Sequence, residues 1–227
     1  MIIKKNLSKM NTNHHLAFDY LESKFNKGDK NYRVIDIGGG ENSWIGDWAT
    51  HLVDKFVEPK NSTKSFGAQV FSVDIDDTKE WDIVLEDVKN NGLFDFAVCT
   101  HTLEDVNNPQ VACRMINQIA KSGFISMPSK YAELAIFERK SGLNYCGYHH
   151  HRWIYQIRNN VLIGVPKMNF HDNVDFSFNK SAGVHSEIAF LWEDKFDYEF
   201  LYPHQMLDNR EGPNRIAELF EDDDLIL

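Results

Sequence analysis

Apolar residues recur along this chain with two periods, which divide it into short strands and amphipathic helices. Ala17, Leu21 and Lys24, with Phe18 and Phe25 nearby, give a helical pattern that Gly28 stops. Val34-Ile35-Asp36-Ile37 reads as a short buried strand running straight into Gly38-Gly39-Gly40. Further strand-like runs are His51–Val57, Val70–Ile75, Phe94–Thr100 and Phe124–Met127. Between them Trp81, Val84, Leu85 and Val88 stand at the i, i+3, i+4, i+7 spacing of a helix, which Gly92 ends. Asn108-Pro109 opens another, with Asn as cap and Pro at the first helical position. Its apolar face carries Ala112, Met115, Ile116 and Ile119, and Ser122-Gly123 closes it.

This alternation predicts an α/β fold, a Rossmann-like, doubly wound and mostly parallel sheet with helices on both faces. The second half changes character. Trp153–Ile157 and Val161–Val165 flank Asn159-Asn160, the signature of a hairpin turn. Ile188–Trp192 and Tyr198–Tyr202 predict an antiparallel C-terminal strand pair, whose stripe Phe190, Trp192, Phe196, Tyr198 and Phe200 reads as sheet core. With no internal repeat or low-complexity linker, residues 1–227 are expected to form a single domain, with 129–183 as an insertion or cap facing the substrate.

Composition narrows the partners. The chain has 227 residues, 42% of them hydrophobic, which is ordinary for a globular protein. Lys+Arg at 24 against Asp+Glu at 34 leaves a net charge of −10, the wrong sign for a phosphate-backbone binder, so no nucleic-acid partner is expected. The run Glu221-Asp222-Asp223-Asp224 reads as a solvated tail. No stretch reaches the roughly 18 apolar residues of a membrane span, and Met1–Met10 has no apolar core of a signal peptide. A cytoplasmic protein without a membrane partner is the expectation. Cys99, Cys113 and Cys146 are too few and scattered for a disulfide framework or a cysteine-rich zinc site.

The sharpest chemical signal is Val34 to Ser43. A strand, then glycines, then a helix start brings backbone close to a bound nucleotide, because a Cβ would strike the ligand. A dinucleotide fingerprint would need a third glycine where Ser43 stands, and the Gly-Lys-Ser/Thr of a phosphate loop is missing. Asp36-Ile37-Gly38-Gly39-Gly40 resembles the first motif of class I S-adenosylmethionine-dependent methyltransferases. Phe94-Asp95-Phe96-Ala97-Val98-Cys99-Thr100-His101-Thr102-Leu103-Glu104-Asp105-Val106 is similar to that family's fourth-strand segment. The two motifs stand in the family's order and cover roughly residues 32–130.

The resemblance implies S-adenosylmethionine as cofactor and methyl transfer as reaction. Asp36, Gly38, Gly39 and Gly40 would approach the cofactor's amino-acid end, with Thr100, His101 and Glu104 at the end of the fourth strand. Two acids compete for the ribose hydroxyls. Asp54 is favoured because it ends the second strand, leaving Asp74 and Ile75 beside the adenine; if His51–Val57 is not a strand, the roles swap. The acid spacing is shorter than the family's usual one.

His101, at the carboxyl edge of the sheet, is the candidate general base for an O- or N-nucleophile of a small molecule. Glu104 either contacts the cofactor or caps the following helix. Alignment supplies most of the acceleration in methyl transfer, so a missing base would leave the reading intact. Tyr145 to Trp153 contains three adjacent histidines. Neighbours on an extended chain point to opposite faces, and no zinc spacing is matched, so no metal is expected. Tyr148, His150 and Arg152 are instead expected to contact the substrate. Two alternatives stay open: an inactive cofactor-binding regulatory module, and a metal-dependent enzyme built on His149–His151 with Cys146, His171 or His185.

Overall fold

The computed structural model of the chain describes residues 1–27, 31–41, 43–57, 67–135, 145–168 and 183–201. Gly28, His171, Tyr202 and the acidic run at 221–224 lie outside them. Side chains of β2 (Val34–Ile37), β5 (Phe96–Thr100) and β6 (Ser122–Pro128) alternate between two buried faces, as expected of a sheet covered on both sides. Ile35, Ile37, Ala97, Cys99 and Ile125 point into the larger core with α2 (Asp82–Asn91) and α3 (Pro109–Ile119). Val34, Phe96, Val98 and Phe124 point into a second core under α1 (His14–Lys24).

With β1 (Ile2–Ser8), β3 (His51–Val53), β4 (Gln69–Phe71) and β9 (Glu187–Glu193), the main sheet runs β1-β9-β6-β5-β2-β3-β4. Strands β4 to β6 are parallel, and β9 lies antiparallel to β6 and β1. From β2 the chain winds outward to β3 and β4, then returns to β5 on the other side. The crevice at the carboxyl ends of β2 and β5 is therefore the topological switch point, where open α/β sheets receive ligands.

A short α4 (Lys130–Glu133) follows β6. A second, three-stranded sheet is built from the hairpin β7 (Trp153–Arg158) and β8 (Val161–Pro166) with β10 (Asp197–Phe200). The predicted hairpin is present: Asn159 and Asn160 have φ of +49° and +59°, the paired positive values of a type I′ turn. No helix among the described residues is long and apolar enough to cross a membrane.

Several expectations are corrected. The C-terminal runs do not pair with each other: β9 enters the main sheet, and β10 runs parallel to β8 in the other one. The link between them turns at Asp194 (φ +61°), and Asn117 on α3 clamps Phe196 by bonds to its N–H and carbonyl, sending the chain away from β9. Among the described residues, no α-helix lies between the glycines and β3. A three-residue 3₁₀ turn, Gly46–Trp48, carries the chain to β3, which explains the short interval from Asp36 to Asp54. Indoles cover the sheet there instead. Trp44 stacks on His14 at 3.9 Å, and Trp48 packs in the α1 core. Ser122 and Gly123 begin β6 instead of closing α3, which stops at Ile119. Asn108 makes no capping bond; Asp76 accepts the N–H groups of Asn107 and Asn108 at 2.9 and 2.7 Å in its place. Edge strand β1, missed in the pattern because Lys4 and Lys5 interrupt it, carries the charges that protect an edge from further pairing.

Candidate active site

The glycine turn is shaped from below. Asp36 is fully buried at the centre of β2, and its carboxylate accepts the Ser43 hydroxyl while filling the space a side chain on Gly39 would take. Burial pushes its carboxyl up to about 6, against the pull of the Ser43 bond and with the help of the Asp54 charge. Gly38 has a φ of +76°, and a Cβ there would overlap the Thr102 side chain. This glycine thus lets the ends of β2 and β5 approach. Gly40 faces open space at φ +61°, and its N–H donates to Asp54 Oδ2 at 3.1 Å. Asp54 also accepts the Phe56 N–H at 2.7 Å, so one carboxylate ties the glycine turn to the end of β3.

Above this turn lies a cleft of about 360 Å³ lined by Gly38, Asp54, Phe56, Asp74, Ile75 and His101, among others. Asp74 is held by Lys55 at 3.1 Å and by the Asp76 N–H at 3.1 Å; these bonds outweigh its partial burial and lower its pKa. Phe56 is 82% exposed, an aromatic face left open at the rim. Arg152, an expected substrate contact, lines this cleft, its N–H and Nε fastened to the carbonyls of Glu104 and Asp105.

A second cleft of about 370 Å³ is lined by Asn11, His101, Glu104, Asp105, Tyr148, His150 and His151 among others. His101 and Asp105 belong to both clefts. Tyr148 and His150, the expected substrate contacts, line the second. Asp36, Gly39, Gly40 and Thr100 line neither. Asp36 and Gly39 shape the turn, Gly40 reaches Asp54, and Thr100 Oγ1 accepts the Trp44 indole at 2.8 Å.

His101 has a positive φ of 48° and sits between carboxylates. Its Nε2 lies 2.8 Å from Glu187 Oε2, and its Nδ1 lies 3.4 Å from Glu104 Oε1. Burial by itself would lower its pKa; the bonds and charges of Glu104 and Glu187 outweigh it and raise it to about 9. A pKa of about 9 makes His101 an imidazolium at neutral pH, with Nε2 bonded to Glu187 and Nδ1 facing Glu104. Glu187 also accepts the Asn11 N–H at 2.9 Å and the Asn13 amide at 2.7 Å. Sequence reading missed Glu187, Asn13 and Phe56. Only the exposed aromatic two residues beyond Asp54 offered a local signal.

A family model described as a methyltransferase domain matches residues 9–162. The chain belongs to that family: it is a class I S-adenosylmethionine-dependent methyltransferase, and S-adenosylmethionine is its cofactor. Among solved structures it is similar to the N-terminal domain of EvdMO1 with SAH bound, at 10% identity over 82% of each chain with a TM-score of 0.40. It is also similar to a cyclopropane-fatty-acyl-phospholipid synthase-like protein from Lactobacillus casei ATCC 334, at 11% identity over 82% of this chain and 95% of that one, TM-score 0.40. An O-methyltransferase family protein from Burkholderia thailandensis matches at 14% identity over 52% of this chain, TM-score 0.34, and the alignment spans 40% of its length. No curated protein shows a significant sequence match.

Proposed function

We propose that the enzyme methylates an O- or N-nucleophile of a small molecule seated in the second cleft, with the cofactor in the first. The observation that carries this reading is the junction of the two clefts at His101 and Asp105. The first cleft fits the cofactor by its open glycine turn, its exposed aromatic and its acidic rim of Asp54, Asp74, Asp76 and Asp105, which complements a cationic ligand. Asp54 would accept the ribose hydroxyls, Phe56 would stack on the adenine, and Asp74 and Ile75 would flank it. The bound cofactor supplies an electrophilic methyl group on a sulfonium. The protein's part is to align the acceptor and exclude water. Tyr148 and His150 would contact the acceptor. The His101 cation, fixed by Glu104 and Glu187, would orient a polar acceptor atom as a positioning residue.

Calorimetric titration with S-adenosylmethionine and S-adenosylhomocysteine tests the first cleft, with micromolar binding as the expected result. No binding up to millimolar ligand would overturn the reading. Binding without turnover across an acceptor screen would favour the regulatory module. Phe56→Ala should weaken S-adenosylhomocysteine by about 1–3 kcal/mol if a base stacks on the ring; unchanged affinity would remove Phe56 from the site. With an acceptor in hand, kcat/KM should not climb through pH 9 as a titrating His101 base would make it do. A rise with that midpoint, abolished by His101→Gln, would restore the base.

A further inference from the structure

The run Tyr148-His149-His150-His151 is not extended. It forms a turn closed by the His151 N–H on the Tyr148 carbonyl at 3.3 Å, which removes the geometric objection to neighbouring histidines sharing a ligand. His150 and His151 rings meet edge to face at 4.4 Å, and both Nε2 atoms turn toward one carboxylate. Asp105 Oδ1 lies 4.0 Å from His150 Nε2 and 3.9 Å from His151 Nε2, and the three donor atoms all lie within 4.8 Å of one another. We propose that Asp105, His150 and His151 bind a divalent transition-metal ion at the mouth of the second cleft.

The shell behind these donors supports the assignment. Glu133, fully buried, holds His151 Nδ1 at 2.5 Å, which fixes the ring and directs Nε2 outward; a carboxylate in that place is the usual support of a metal-bound histidine. Lys167 binds the other Glu133 oxygen at 2.8 Å and the Tyr148 carbonyl at 2.8 Å, bracing the turn. Arg152 joins the Asp105 segment to the histidine turn through its N–H on the Glu104 carbonyl at 2.7 Å and its Nε on the Asp105 carbonyl at 3.0 Å. Donors about 2.0–2.1 Å from a tetrahedral ion stand roughly 3.4 Å apart, so each histidine-to-aspartate distance must close by about half an ångström and the histidine-to-histidine separation, within 4.8 Å, by up to about 1.4 Å. Asp105 and His150, both solvent-exposed, can make that movement by side-chain rotation. Two imidazoles and one carboxylate select zinc, cobalt or nickel over calcium and magnesium, which prefer all-oxygen cages. Three protein donors leave the ion positions open toward the cleft.

The test uses the full chain stripped with EDTA and titrated with Co²⁺, then with Zn²⁺ in competition. Expected are visible d–d bands that saturate at one equivalent and are displaced by Zn²⁺. His150→Ala and Asp105→Asn, exposed positions whose replacement leaves the core untouched, should each weaken binding at least tenfold. No bands and no Zn²⁺ uptake up to millimolar metal would overturn the proposal. So would binding that both variants leave unchanged, which would assign the metal to other histidines. S-adenosylhomocysteine titrated into the same metal-free protein separates the two readings: cofactor affinity without metal uptake defeats the metal site alone, and metal uptake without cofactor affinity defeats the cofactor cleft alone.

Discussion

Glu187→Ala is expected to destabilise the protein by about 3–5 kcal/mol at pH 7, the usual result of removing one partner from a buried ion pair. Glu187 is fully buried and binds His101, the Asn11 N–H and the Asn13 amide together. Its loss leaves His101 Nε2, the Asn11 N–H and the Asn13 amide without their acceptor, with Glu104, among the described residues, the one carboxylate still facing the imidazolium. The pH dependence identifies the cause. The folded-state pKa of His101 is raised from 6.5 to about 9, so between those values the folded chain holds a proton the unfolded chain has released. That contribution is fully present below pH 6.5 and is lost as pH rises through about 9. Urea unfolding of both proteins from pH 6 to 10 should show the gap between wild type and variant narrowing across that window. A gap that stays constant would assign the loss to packing instead of charge.

The second large effect concerns the cofactor. Asp54→Ala should weaken S-adenosylhomocysteine by about 10- to 150-fold, the equivalent of the 1.5–3 kcal/mol typical of hydrogen bonds to a charged group. Two consequences combine: the carboxylate is lost from the cleft, and the Gly40 and Phe56 N–H groups it holds are released. Asp74→Ala should cost less than about tenfold, because Asp74 is engaged by Lys55 and its own turn. Calorimetric affinities of the two variants decide the matter. The reverse order would exchange their roles at ribose and adenine.

The sequence by itself determined what depends on near neighbours. Short apolar runs bounded by turn residues marked the parallel strands β2 to β6, helical spacing marked α2 and α3, and Asn159-Asn160 marked the hairpin, because local apolar runs and positive-φ turns depend on near neighbours. The glycine turn and Asp54 at the end of β3 were legible for the same reason. Long-range convergence was not. Glu187 meets Asn13 across 174 residues, and no spacing rule foresees a contact that exists only because β9 slots between β1 and β6. Tertiary structure alone decided that β10 joins β8, that Asp36 is walled in beneath the turn, and that His101 is held as a cation. It also turned three adjacent histidines, read as pointing apart on an extended chain, so that two of them face Asp105. Backbone periods follow from neighbouring residues, whereas burial and charge at a site depend on which distant segments the packed sheet brings together.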